Sequence, residues 1–219
     1  MLRINFENKL KELHAEIIGM GSFVETAIND SIRAFKTNDI GLCKEIIEND
    51  QVVDEMEKNI ESKCLWLIAR EQPIASDLRQ ITTALKIITD MERIGDHASD
   101  ISELVMRLPG KNSFADSIHI PQMAANAMEM VKNAITAYVT FNLELAKKTE
   151  AQDDVVDDYF NLIKQEIADV FKSQPQNMDN AIDYLLIAKY LERIADHAVN
   201  ICEWVRFSQT GEHKNTQIF

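Results

Sequence analysis

The sequence predicts an all-α fold: six long antiparallel helices forming two tandem, pseudo-symmetric three-helix bundles, residues 1–108 and 109–219. Three observations carry this. The 219 residues include only 6 Gly and 4 Pro, so helix breakers are scarce. Apolar residues recur every three or four positions. The heptapeptide ERIGDHA (Glu92–Ala98) returns 100 positions later as ERIADHA (Glu192–Ala198), inside a longer repeat.

Helix 1 is expected from Asn5 to Thr37, on the stripe Ile17, Met20, Val24, Ile28, Ile32 and Phe35. The stretch TNDIG ends it, and Asn38 or Asp39 caps helix 2, which runs to Glu71 before Pro73. Ser76 or Asp77 is the expected cap of helix 3, which ends near Leu108. PGKNSFADSIHIP (Pro109–Pro121) reads as the linker. Helix 4 then runs to Phe141, helix 5 from Leu143 to Lys172, and helix 6 from about Asp179 to Ser208, with a frayed tail after it.

The second half repeats the first. Ala34–Glu55 aligns with Ala137–Asp158 at an offset of 103, which places Asp50 on Asp153 and Asp54 on Asp157. Across ERI-DHA the offset is 100, and Ile101, Glu103 and Val105 meet Ile201, Glu203 and Val205. The drift requires small deletions near the turn between helices 5 and 6.

The net charge of −13 repels nucleic-acid phosphates and anionic membranes, so neither is an expected partner. Cations and basic protein faces suit it better. No run of 18 apolar residues is present to insert in a membrane, and the charged N-terminus has no apolar signal core. The three cysteines, Cys43, Cys64 and Cys202, form no CxxC pair and read as reduced core thiols of a cytoplasmic protein.

On helix 3, Ile87, Met91, Ile94, Ala98, Ile101 and Val105 share one line of the helical wheel. Glu92, Asp96, Asp100 and Glu103 fall about 140–220° from it, which predicts an outward acidic stripe. Helix 6 repeats this, with Ile187, Leu191, Ile194, Ala198, Ile201 and Val205 as core and Glu192, Asp196, Asn200 and Glu203 outside. Helix 2 adds Asp50, Asp54, Glu57 and Glu61, nearer the edge of its apolar face. In the second half Asp153 and Asp157 hold the matching places, and Phe160 replaces Glu57. Carboxylates four apart on a helix lie about 5–6 Å from each other and repel. A hard cation relieves that repulsion, because carboxylate oxygens suit Mg, Mn, Fe or Ca. The alternative is a solvated acidic face.

His97 and His197 sit on the flank of the core stripe and read as half-buried groups bonding a neighbour, with ligand roles second. Arg93 and Arg193 are expected to pair with adjacent acids. Catalysis has no platform: HExxH, a Walker loop, GxGxxG and GxSxG are all absent, and so is the Glu-x-x-His of di-iron bundles.

The paired ERIGDHA and ERIADHA segments, QPIASDLR (Gln72–Arg79) and ICEWVRF (Ile201–Phe207) resemble the PhoU family over about Phe6–Ser208. These are accessory regulators of the bacterial phosphate-specific transport system. The resemblance implies a non-enzymatic protein of two three-helix bundles whose E(D)xxxD motifs bind metal (Fe, Zn, Mn or Mg). Carried over, the ligand positions are Glu92, Asp96 and Asp100, then Glu192, Asp196 and Asn200, with Asp50, Asp54, Asp153 and Asp157 alongside. Two departures matter. Asp100 stands where members often have Asn, which makes the first site more anionic. Phe160 leaves the second poorer in ligands. Asp77, Leu78 and Arg79 match the family's DLR, and only Asp179 remains of it in the second half. Asp77, Arg79, Arg93 and Arg193 are the expected partner-binding residues. The implied role is repression of the phosphate-starvation response and of uptake through the phosphate ABC transporter. It links that transporter's ATPase subunit to a sensor histidine kinase, as a cytoplasmic homodimer. The competing expectation is a plain helical scaffold with no physiological metal.

Overall fold

The structure, a computed structural model, describes residues 2–108, 118–213 and 216–217. The helices are α1 (Leu2–Thr37), α2 (Ile40–Glu71), α3 (Ala75–Arg107), α4 (Ile120–Thr140), α5 (Leu143–Glu150), α6 (Asp153–Ser173) and α7 (Met178–Thr210). A short 3₁₀ turn, Pro175–Asn177, precedes α7. Most of the linker, residues 109–117, lies outside the described residues. α1, α2 and α3 pack together, as do α4, α5, α6 and α7. The halves meet where α3 lies along α7 and α1 touches α4.

The predicted stripes are the core. Ile87, Met91, Ile94, Ala98, Ile101 and Val105 are all buried, as are Ile187, Leu191, Ile194, Ala198, Ile201 and Val205. One apolar cluster runs through both halves. Each fully buried Ile or Met contributes about 1.5–3 kcal/mol relative to exposure. The short turns are repeats too. Asn38 (φ 53°) and Phe141 (φ 52°) adopt the left-handed conformation. The next residues, Asp39 and Asn142, accept hydrogen bonds at 3.0 Å from the backbone N–H groups of Leu42 and Leu145.

Four expectations need correction. Helix 1 begins at Leu2 rather than Asn5. Neither Ser76 nor Asp77 caps α3; its cap position is Ile74, without a side-chain bond. Asp77 instead places its charge in the first turn, where the helix dipole favours it. Helix 5 is two helices: backbone bonds Thr149 O to Gln152 N and Gln152 O to Val155 N tighten the chain into 3₁₀ geometry. Asp153 and Asp154 then open α6 with charge favourable to its N-terminus. The described residues of the tail are not frayed. α7 continues to Thr210, Gly211 turns the chain at φ 78°, and Glu212–His213 pairs antiparallel with Thr216–Gln217. The His213 ring stacks on Trp204 at 3.9 Å.

Candidate metal centre

Of the expected acidic stripe of α3, Glu103 is exposed, but Glu92, Asp96 and Asp100 do not face freely outward. α3 packs against α1, α2 and α7 together, so it has little free face, and even the off-stripe Gly95, Ser99 and Ser102 are buried. The side chain of Glu92 is only 17% exposed and that of Asp96 29%. Both point into the seam with α2. Gly95 keeps that seam narrow: a methyl group there would stand 3.3 Å from Val53 Cγ1 and 3.6 Å from Asp50 Oδ1.

In this seam Asp54, Glu92 and Asp96 each bring a carboxylate oxygen within 4.8 Å of the others. Asp50 and Glu57 flank them on α2, and Thr89 donates to Glu57 Oε1 at 3.1 Å. Burial, then the charges of Asp96, Asp54 and Asp100, push Asp50 up to about 6. Burial and Asp96 raise Glu92 to about 7, against a smaller opposing pull from Arg93. Arg93 approaches from the solvent side, with Nη1 2.9 Å from Asp96 and Nε 3.3 Å from Glu92 Oε2. That ion pair is not a hydrogen bond: Glu92 Oε2 is shut off from solvent and accepts none. A dry carboxylate oxygen without a hydrogen bond, on a residue beside two other carboxylates, fits a hard divalent cation.

The matching seam of α6 and α7 is built differently. Burial, followed by Asp196, Asp157, Asp154 and Glu192, pushes Asp153 up to about 6. Asp196 is raised by burial and Glu192. Yet Asp157 and Asp196 are exposed. Lys189, which stands where the first half has Thr89, forms an ion pair with Glu192. Its ammonium also lies 5.2 Å from the ring centre of Phe160.

Asp100 and Asn200 turn away toward the α3–α7 contact. Asp100 Oδ2 lies 3.3 Å from His97 Nδ1. Asp90 accepts from Asn200 Nδ2 at 3.2 Å and pairs with His197 Nδ1 at 2.8 Å. The two His rings are 5.7 Å apart, and His97 also faces Tyr190. Burial lowers the His97 pKa, with smaller opposing effects from Asp100. Of the expected partner-binding residues, Arg93 and Arg193 are exposed. Arg79 is half-buried and its Nε donates to Ser208 O at 3.4 Å, tying α3 to α7. Asp77 is half-buried.

Sequence reasoning missed Asp90, Tyr190 and Lys189. The signal was present at the repeat offset of 100, which sets Asp90 against Tyr190 and Thr89 against Lys189.

The PhoU domain model matches the chain twice, over residues 17–105 and 120–205. The phosphate-specific transport system accessory protein PhoU homolog of Clostridium acetobutylicum is 38% identical over 213 residues, covering 97% of each chain. The PhoU homolog 1 of Thermotoga maritima is 33% identical over 211 residues, covering 96% of this chain and 91% of its own. A crystal structure of the phosphate transport system regulatory protein PhoU from Streptococcus pneumoniae superimposes with a TM-score of 0.89 at 28% identity, covering 94% of this chain and 98% of that one. One of PhoU from Pseudomonas aeruginosa gives 0.88 at 30% identity, covering 94% and 100%.

Proposed function

The chain belongs to the PhoU family, and from that premise we propose that it is a non-enzymatic, metal-binding regulator of phosphate-specific transport. In this reading it acts in the cytoplasm as a homodimer. It holds down uptake and the phosphate-starvation response by linking the ATPase subunit of a phosphate ABC transporter to a sensor histidine kinase. The transport role is supported by relatives of nearly equal length, named as accessory proteins of the phosphate-specific transport system. Deleting the gene tests it: phosphate uptake and phosphatase expression should both rise in phosphate-rich medium. Unchanged levels of both overturn it.

The metal reading rests on Glu92, whose Oε2 is buried without a hydrogen bond and whose carboxylate lies beside those of Asp54 and Asp96. Asp54, Glu92 and Asp96 would hold the ion, with Asp50 and Glu57 next to it. When bound, the ion supplies positive charge that neutralises the seam between α2 and α3. Replacing Glu92 and Asp96 together with alanine should abolish metal retention by the purified protein.

A second reading, a plain helical scaffold, is favoured by one observation: Arg93 already pairs with both Glu92 and Asp96. If metal analysis finds none in the protein, and the double alanine variant changes neither stability nor affinity, that reading holds.

A further inference from the structure

The two halves carry the same carboxylates at the same offsets, but different neighbours across the helix seam. In the first half the facing positions are Glu57 and Thr89, bonded to each other at 3.1 Å. In the second they are Phe160 and Lys189. One exchange removes a carboxylate and the other adds an ammonium. The first seam therefore gathers Asp50, Asp54, Glu57, Glu92 and Asp96. The second gathers Asp153, Asp157, Glu192 and Asp196 together with a tethered cation. Arg93 pairs with Glu92 and Asp96 at the solvent rim of the first seam, while Arg193 acts on His97 and Tyr190 in the α3–α7 contact. The first seam thus sets five carboxylates against Arg93 at its rim, the second four against Lys189.

Lys189 has two contacts in the seam. Its ammonium pairs with Glu192 and sits over the face of Phe160, whose ring draws in the ammonium of Lys164 at 4.9 Å as well. A glutamate at position 160 would offer no such face. The carboxylates respond accordingly. Among the described residues, only Asp54, Glu92 and Asp96 bring three donor atoms within 4.8 Å of each other. Asp157 and Asp196 are more exposed than their counterparts Asp54 and Asp96.

We propose that the two clusters are not equivalent: the first takes a divalent cation, while in the second the Lys189 ammonium, seated on Phe160, occupies the cation's place. The second half then has its charge partly offset without metal, and the first half alone responds to metal. This rests on the metal reading above. A soft metal ligand plays no part, since both sites offer only carboxylates.

Chelator-stripped protein titrated with Mn²⁺, with free Mn²⁺ followed by electron paramagnetic resonance, separates the possibilities. In the otherwise unchanged chain, Asp96→Asn should weaken binding at least about tenfold, and Asp196→Asn should leave it unchanged. The double variant Lys189→Thr/Phe160→Glu should gain additional bound Mn²⁺ that Asp196→Asn then removes. Circular dichroism establishes that each variant is folded, and Lys189→Gln serves if the double variant is not. Should Asp196→Asn weaken binding in the unchanged chain as much as Asp96→Asn does, the asymmetry is wrong and the metal reading survives. The asymmetry is also wrong if removing Lys189 adds no bound Mn²⁺. Absence of Mn²⁺ binding by the unchanged chain overturns the metal reading itself.

Discussion

His197 on α7 pairs with Asp90 on α3 through Nδ1 and Oδ1 at 2.8 Å, directly across the contact between the two halves. Asp90 also accepts from Asn200 at 3.2 Å, so one carboxylate ties down two side chains of the other repeat. The repeat partner of Asp90 is Tyr190, which faces His97 in the same seam. Each ERI-DHA histidine therefore reaches the other half through the residue two places before that half's Glu. The pairing fixes the register of α3 against α7, and with it the positions of both acid clusters.

Asp90→Ala leaves His197 and Asn200 without this acceptor in a mostly buried seam. Losing such a partner costs about 1–3 kcal/mol. Urea unfolding should show that loss, while Lys172→Ala, which removes an exposed pair with Asp169, should change stability by less than about 0.5 kcal/mol. Equal effects from the two would mean that Asp90 does not hold the halves together.

Glu92→Gln should stabilise the metal-free protein at pH 8 and not at pH 4. The folded protein keeps the Glu92 proton up to about pH 7, because burial and Asp96 oppose its charge. The unfolded chain releases it near the ordinary value of about 4.3. Between those values the folded state binds more protons, so stability falls as pH rises, and the loss is complete above about 7. Gln stays neutral and escapes it. The gain is about 1 kcal/mol, discounted for solvent at the rim. His97 runs the other way, since its lowered pKa costs stability as pH falls below about 6.5. That cost is common to both proteins and cancels in the difference. Parallel stability curves from pH 4 to 8 would refute the assignment.

The bundle was legible in the sequence because the apolar spacing of α3 and α7 is regular, and a period of 3.6 leaves no other way to bury those residues. The direction of Glu92 and Asp96 was not. A helical wheel assumes one buried face, and α3 is buried by three neighbours. The His197–Asp90 bond depends on where α3 crosses α7, which no single-helix pattern encodes. The break at Ala151–Gln152 was hidden because both are ordinary helix residues; only the hydrogen bonds reveal the tightening. The substitution of Lys189 for Thr89 was visible, but gained meaning only once Phe160 lay beneath it.

Two glycines test the close approaches. Gly21 lies where α1 meets α4, and a methyl group there would stand 3.1 Å from Ile135 Cγ2 and 3.2 Å from Cδ1. Gly21→Val forces the halves apart and should cost about 1–3 kcal/mol. Gly95→Ala has 3.3 Å to a single methyl of Val53, and its repeat counterpart is the buried Ala195. There the gain in helix propensity, about 1 kcal/mol, offsets the tight contact. Thermal unfolding should lower the midpoint for Gly21→Val and leave Gly95→Ala within a few degrees of the parent.

Mn²⁺ should raise the thermal midpoint, and the rise should depend on pH. An ion that binds the folded state alone stabilises it by about 2.7 kcal/mol at a hundred times its dissociation constant. For a chain of this size that is roughly 5–10 °C. Asp54→Asn removes one of the three converging carboxylates and should reduce the shift to a small fraction. Lowering the pH from 7.5 to 5.5 should shrink it as well. Glu92, held up to about 7, and Asp50, held up to about 6, then keep protons that the ion must displace. The same protonation relieves the repulsion between these acids, so the metal-free protein has less to gain from a cation at pH 5.5. A midpoint shift equal at both pH values, or unchanged in Asp54→Asn, would place the ion away from the seam between α2 and α3.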